Sequence, residues 1–305
     1  LGGAARERRR IVAALAPIVG KQNVLFDPFT LVSHATDATD WRLFLPRVVV
    51  TPSREEQVGP LLRALGALGL AAIPRGAGTG LTGGAVPLSA GCALINTEKL
   101  DRIVGVEQRE LPFPDGRVEP LPVLVVEAGV VTERAIEAAA RHDYVFATDP
   151  TSAWACTIGG NIAENAGGKT AVLWGTCIDN LLAWRLALAN GQVWTVRRLD
   201  HPRRKILPED LVRWQVVDAS GAVQRTVALR GDQLRRPGLW KDITNKALGG
   251  LPGLQKEGTD GVITAAEFVL YPRYRATATL CLEFFGEDME EASRVILELS
   301  RAFPN

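Results

Sequence analysis

The sequence has little with which to hold a metal or to brace itself with disulfides. It contains three histidines (His34, His142, His201) and four cysteines (Cys92, Cys156, Cys177, Cys281). No C-x-x-C occurs, so the chain builds no zinc or iron–sulfur site by itself, and the histidines share no ligand spacing. Scattered cysteines point to a reducing compartment, the cytosol. Long apolar runs are also missing: Arg63 and Pro74 interrupt the longest, which falls short of a membrane span. Any membrane association is therefore expected to be peripheral, through a partner. Net charge is only +1, which excludes the strong basic field of a nucleic-acid or membrane-surface binder. No signal peptide is visible, and a start at Leu1 rather than Met reads as a piece cut from something longer. What remains is an ordinary globular composition, 47% hydrophobic and 23% charged over 305 residues, a length suited to about two domains.

Glycine is what the sequence has in concentration. Pro74-Arg75-Gly76-Ala77-Gly78-Thr79-Gly80-Leu81-Thr82-Gly83-Gly84 packs five glycines and two threonines into eleven residues, directly behind the apolar run 70–73. Backbone N–H groups in such a turn converge into a concave anion site, so the stretch reads as a loop cradling a phosphate or pyrophosphate. The plain alternative is a glycine-rich surface turn. The G-x-G-x-x-G spacing is present, but the dinucleotide fingerprint needs a helix straight after the glycines. Here Pro87, Gly91 and the strand-like residues 92–95 follow instead. No Gly-Lys-Ser/Thr closes a P-loop either. Loop amides alone would hold the phosphates.

The rest of the chain is read by periodicity. Ile11, Val12, Leu15, Ile18 and Val19 predict a helix stopped at Gly20, and residues 26–41 read as irregular. Residues 48–50 form a short strand. Ser53-Arg54-Glu55-Glu56 reads as a capping box opening a helix through Leu61 and Leu65, with Pro60 forcing a kink or an offset start. Residues 70–73 are the next strand, and this β-α-β order predicts parallel neighbours. After Leu94 the character changes to short strands at Ile95 and 100–106, and residues 110–122 make a proline-bearing hairpin or loop. A strand at 123–129 precedes a helix capped by Thr132, with Ile136, Ala139 and Ala140 inward. Asn190-Gly191 marks a hairpin. Residues 197–255 read as an insertion whose basic cluster, Arg203-Arg204-Lys205, is a solvated loop rather than a phosphate site. The final segment predicts a strand at 277–285 and an amphipathic helix carrying Met289, Ala292, Val295, Ile296 and Leu299. One β-α unit cannot bury both its faces, so it reads as the start of a truncated domain.

Two further stretches are poor in side-chain volume. Asp149-Pro150-Thr151-Ser152 is followed by residues 157–168, which hold four glycines and two alanines in twelve residues. Something flat and bulky would fill that volume, with Thr157, Asn161 and Asn165 at its polar rim; tight helix–turn packing would need the same small residues. The third stretch, Lys256 to Thr264, is a glycine turn entering a strand.

In this order the three stretches resemble the FAD-binding domain of the vanillyl-alcohol oxidase or PCMH type. The branch is that of D-lactate dehydrogenases, D-2-hydroxyglutarate dehydrogenase and the glycolate oxidase flavin subunit. The resemblance covers residues 37–272. It implies an α+β fold of two subdomains, one mainly parallel and one mainly antiparallel, with FAD between them. Residues 1–36 would be a helical preface and 273–305 the beginning of a substrate-binding cap domain of α/β type.

Residue by residue, it implies that Pro74, Arg75, Gly76, Ala77, Gly78, Thr79, Gly80, Leu81 and Thr82 form the pyrophosphate loop. Asp149, Pro150, Thr151, Ser152, Thr157, Gly160, Asn161 and Glu164 would lie along the ribityl chain and ring. Glu257, Gly258, Gly261 and Ile263 belong to a turn similar to the family's "EGTLGIIT", with Asp260 in place of the leucine. Gly80 stands where members with covalent flavin often carry a histidine, which implies non-covalent FAD. Lys241-Asp242-Ile243-Thr244 is matched to the family's "KDV" stretch. The implied activity is oxidation of a small 2-hydroxy acid such as D-lactate or glycolate. Electrons would pass to a partner such as an iron–sulfur protein or domain, or a quinone. A non-catalytic FAD-holding scaffold or sensor using residues 197–255 as its contact surface, and a non-redox flavin enzyme of the ether-lipid synthase kind, share the same loops. No catalytic base is assigned; Glu164 and Asn165 are the residues that would face the flavin.

Overall fold

The computed structural model describes residues 2–236, 243–244, 251–278 and 280–302. Its first sheet has four strands: β1 (Val24–Leu25), β2 (Val48–Val50), β3 (Ala71–Arg75) and β4 (Cys92–Asn96), in the order β1-β2-β4-β3. β2 and β3 run parallel to β4, and β1 is antiparallel to β2. The two strands expected to be neighbours are thus separated by β4. Every residue of β4 is buried, which suits an inner strand. β3 takes the edge, where Pro74 can lack an N–H without breaking a central ladder.

Helices α1 (Gly2–Val19) and α3 (Val58–Leu68) contribute Ile11, Leu15, Val58, Leu61 and Leu65 to one core with Val48, Val50, Ala93 and Ile95. Three readings change here. Residues 28–33 are not irregular: they form α2 (Pro28–Ser33), with Asp27 accepting from the Thr30 N–H and Pro28 in the first turn. The box at Ser53–Glu56 closes through Gln57 instead, whose Oε1 accepts from the N–H groups of Ser53 (2.8 Å) and Arg54 (3.1 Å). A 3₁₀ turn over Glu55–Gln57 then delays α3, so Pro60 falls in the first helical turn, where its absent N–H has no intrahelical use.

The second sheet is antiparallel throughout and has seven strands, in the order β11-β10-β9-β8-β14-β6-β5. β5 (Ile103–Pro112) and β6 (Val118–Glu127) form the proline-bearing hairpin. β7 (Tyr144–Val145) leaves the sheet to pair with β15 (Tyr271–Pro272). β8 (Leu181–Ala187) and β9 (Val193–Arg198) are joined through Asn190-Gly191 as expected. The basic cluster lies in a loop as expected, but β10 (Leu211–Asp218) and β11 (Val223–Arg230) give the insertion a strand hairpin that the sequence reading did not predict. The overlooked signal is the alternation Val212, Trp214, Val216, all buried, among charged and polar residues. Arg204 of the basic trio pairs with Asp210 at 2.6 Å. β12 (Arg235–Arg236) pairs with β13 (Ile243–Thr244), and β14 (Val262–Val269) is central. The Lys241-Asp242 part of the proposed "KDV" match lies outside the described residues.

Helix α4 (Thr132–Ala140) begins one residue earlier than predicted: Val131 is the cap, and the Thr132 hydroxyl donates to the Cys156 carbonyl at 3.0 Å. Ala135, Ala138 and Ala139 face inward, whereas Ala140 is exposed. Three short helices, α5 (Ile158–Ala163), α6 (Ala171–Trp174) and α7 (Cys177–Asn180), follow, and α8 (Gly231–Leu234) closes the β10–β11 hairpin. Among the described residues of 277–285 no strand forms, contrary to expectation. Leu280, Leu282 and Phe284 are exposed there. Helix α9 (Met289–Ala302) does form, burying Ala292 while Met289 and Ile296 remain exposed.

The 3₁₀ turn after β2 ties the first sheet's unit to the second sheet. Glu55 Oε1 accepts from Arg185 Nε on β8 (2.6 Å) and from Thr264 Oγ1 on β14 (2.7 Å). α3 also presses on the β8–β9 turn, where a Cβ added to Gly59 would lie 2.6 Å from the Gly191 carbonyl oxygen. A cleft lies alongside this junction.

Candidate cofactor cleft

Three segments enclose the cleft, which has a volume of about 350 Å³. The first is the loop leaving the edge strand β3 after Arg75. The second is α5, whose start is capped by Thr157 Oγ1 accepting from the Gly160 N–H. The third is the turn before β14. It docks on the end of α5 through Gln255 N–H to Ile162 O and Glu257 N–H to Ala163 O, both 3.0 Å.

All of residues 74–82 line the cleft, together with Pro150, Ser152, Thr157, Gly160, Asn161, Glu164, Glu257, Gly258, Gly261 and Ile263. Asp149 and Thr151 do not. Asp149 Oδ1 accepts from the N–H and hydroxyl of Thr170, at 3.1 and 2.8 Å, and Thr151 points to solvent. Asn165 is also absent from the wall. Its amide accepts from the Ile178 N–H (3.0 Å) and donates to Gln255 (3.3 Å), tying α5 to α7. Asn161 reaches the wall, but its amide nitrogen is committed to Thr132 Oγ1 at 2.7 Å. Sequence reasoning missed Asp37, Thr97 and Cys156, which line the cleft from outside the glycine stretches.

The backbone of the first loop is chemically distinctive. None of the N–H groups of residues 77–82 donates to another described residue. Beneath them lies Arg75, buried, with Nη1 donating to the Thr36 carbonyl at 2.5 Å. Gly78 is at φ +72°, and a Cβ there would lie 2.2 Å from Arg75 Nη2. Glycine is required twice over, by backbone conformation and by the guanidinium. Burial lowers the affinity of Arg75 for its proton and the charge of Asp37 opposes that shift; an arginine keeps its charge in either case. At the far end Thr82 Oγ1 donates to Glu164 Oε1 at 3.3 Å, and a Cβ on Gly80 would lie 3.2 Å from the same oxygen. The cleft therefore runs from a cationic, amide-rich end to a carboxylate.

Residues 46–197 match the FAD binding domain family. The glycolate oxidase subunit GlcD of Escherichia coli K12 is 32% identical over 190 residues, 62% of this chain and 36% of that protein. The D-lactate dehydrogenase of Archaeoglobus fulgidus is 29% identical over 255 residues, 83% of this chain and 45% of that protein. The chain thus spans less than half the length of these relatives. In structure it resembles p-cresol methylhydroxylase with a TM-score of 0.57 at 17% identity, over 88% of this chain and 44% of the other.

The cleft fits the group that this family binds. Unpaired loop amides above a buried guanidinium suit a diphosphate. A wall of Gly159, Gly160 and Ala163 leaves room for a flat ring. A buried carboxylate oxygen of Asp37 has no hydrogen-bond partner and awaits a donor. Residues 46–197 of this chain accordingly belong to the FAD binding domain family, the fold is the PCMH-type pairing of a mainly parallel with an antiparallel sheet, and the cofactor is FAD.

Proposed function

We propose that this chain is the flavin-binding part of an oxidoreductase that oxidises a small 2-hydroxy acid, such as D-lactate or glycolate, and passes the electrons to a partner acceptor. The observation that carries the reading is the run of unpaired N–H groups at residues 77–82 over Arg75, in a chain similar to enzymes named for glycolate and D-lactate. Bound FAD supplies the redox chemistry, accepting a hydride from the substrate. The residues of the chain bind and orient. Loop amides 77–82 and Arg75 hold the diphosphate, Thr157 and the small residues of α5 shape the wall beside the ring, and Glu257, Gly258, Gly261 and Ile263 close the opposite side. Asp149 and Thr151 act one step back, shaping the loop that carries Pro150 and Ser152.

FAD is held without a covalent bond. Gly80 offers no side chain for attachment, and the lining contains no histidine. Its cysteine, Cys156, is buried with Sγ 3.2 Å from Thr132 Oγ1. The acceptor is an iron–sulfur protein or domain, or a quinone. No described helix is long and apolar enough to cross a membrane.

The test has two stages. Acid precipitation of the purified holoprotein should release all flavin absorbance to the supernatant; colour in the pellet would contradict non-covalent binding. The full-length enzyme should then lose its visible flavin absorbance with D-lactate, glycolate or D-2-hydroxyglutarate. Retention of the oxidised spectrum across a panel of 2-hydroxy acids would reject the substrate class.

A further inference from the structure

Asp37 lies far in sequence from every glycine stretch, yet it lines the cleft. It is 7% exposed. One carboxylate oxygen, Oδ1, is satisfied locally by the N–H of Thr39 (2.9 Å) and by its hydroxyl. The other, Oδ2, is buried with no hydrogen-bond partner. Arg75 is near enough for its charge and that of Asp37 to act on each other, but its hydrogen bond goes to the carbonyl of Thr36 and none reaches Oδ2. A buried, unpartnered carboxylate oxygen costs enough that native proteins give it a donor. A diphosphate has none to offer and repels it.

We propose that Asp37 Oδ2 accepts a hydrogen bond from a sugar hydroxyl of the bound flavin nucleotide. The placement favours a hydroxyl over the base or the ring. Asp37 follows Thr36, whose carbonyl holds the guanidinium lying under Gly78 in the amide loop. Next to the diphosphate on either side stand polyols, the ribose toward adenine and the ribityl chain toward the flavin. A carboxylate accepting from a ribose hydroxyl is an established way to read a nucleotide. Asp37 is thus a positioning residue for the cofactor, and this inference rests on the reading that the cleft holds FAD.

The experiment measures binding of FAD, ADP and FMN to purified apoprotein by calorimetry, with the melting temperature of each apoprotein recorded alongside. Asp37→Asn keeps the oxygen that serves Thr39 and replaces the unpartnered one with an amide. It should weaken FAD binding by about 10- to 100-fold and leave the apoprotein melt within a few degrees. The same loss should appear with ADP alone if the hydroxyl is the ribose's, or with FMN alone if it is the ribityl chain's. Asp37→Glu, which keeps the charge but displaces the oxygen, should not restore affinity. If Asp37→Asn does not fold, Asp37→Ser carries the same comparison. FAD affinity within twofold of wild type overturns the inference. So does an equal loss for ADP and FMN, or full restoration by Asp37→Glu, since both mark an indirect effect through Arg75. Failure of the wild-type apoprotein to bind FAD removes the cleft reading itself, and the inference with it.

Discussion

The two stretches beside the cleft are both rich in glycine and have opposite uses. In residues 77–82 the backbone N–H groups donate to no described residue, above a buried arginine. In residues 158–166 they are consumed internally: Ile158 and Gly159 donate to Val130 and Ala128, and Asn161, Glu164, Asn165 and Ala166 donate within the helix and its end. Small residues there serve close approach. A Cβ on Gly159 would lie 2.9 Å from that of Ala128, and one on Gly168 would lie 2.0 Å from the Asp149 carbonyl oxygen. One stretch lines the cleft with backbone donors that no described residue accepts, and the other is a packed wall made of backbone. Composition alone does not separate them; the fate of the N–H groups does.

This contrast predicts that substitutions in the first stretch damage affinity, and that those in the second damage stability unless the side chain reaches the cleft. The largest effect is expected for Gly78→Val. The side chain meets positive φ and the guanidinium, and FAD binding should weaken at least about 30-fold, or about 2 kcal/mol, in a titration followed by flavin fluorescence. Wild-type affinity would show that the loop does not hold the diphosphate. Next is Asn165→Ala, which strands the Ile178 N–H and removes the tie to Gln255. Urea denaturation of the apoprotein should show a loss of about 1–3 kcal/mol, with FAD affinity of the folded protein nearly unchanged. A large affinity loss without destabilisation would return Asn165 to the ligand site. The smallest effect is expected at the carboxylate end. Glu164→Gln keeps an acceptor for Thr82 and removes a charge facing the anion loop, so ADP should bind about two- to threefold more tightly at low salt. That gain should fade as salt screens the charge; tighter binding that persists at high salt would point to packing instead.

Much of this was legible in the sequence because the signals were local. Positive φ at Gly78, the Asn190-Gly191 turn and the helical spacing of Ile11, Leu15 and Val19 are properties of neighbouring residues. The resemblance to flavin domains rested on such runs, and 19 of the residues it implied line the cleft, with Asp149 and Thr151 displaced behind it. The β10–β11 hairpin was legible too, in the alternation of Val212, Trp214 and Val216, but charged neighbours and flanking prolines masked it. The strand at 277–285 failed for the complementary reason: apolar alternation is only half of a strand, and a partner edge is the other half.

The sequence by itself determined the glycine loop and the parallel β-α-β opening, while the antiparallel second sheet and the flavin cofactor were implied by the family resemblance. The first two follow from backbone freedom and residue period, and the resemblance rests on runs of contiguous residues. Only the tertiary structure decided that β4 separates β2 from β3, that Arg75 lies beneath Gly78, that Asn165 faces α7, and that Asp37 reaches the cleft. Each of these depends on which groups find hydrogen-bond partners across tens of residues. That pairing is settled when the two sheets close on one another, and no local pattern encodes it.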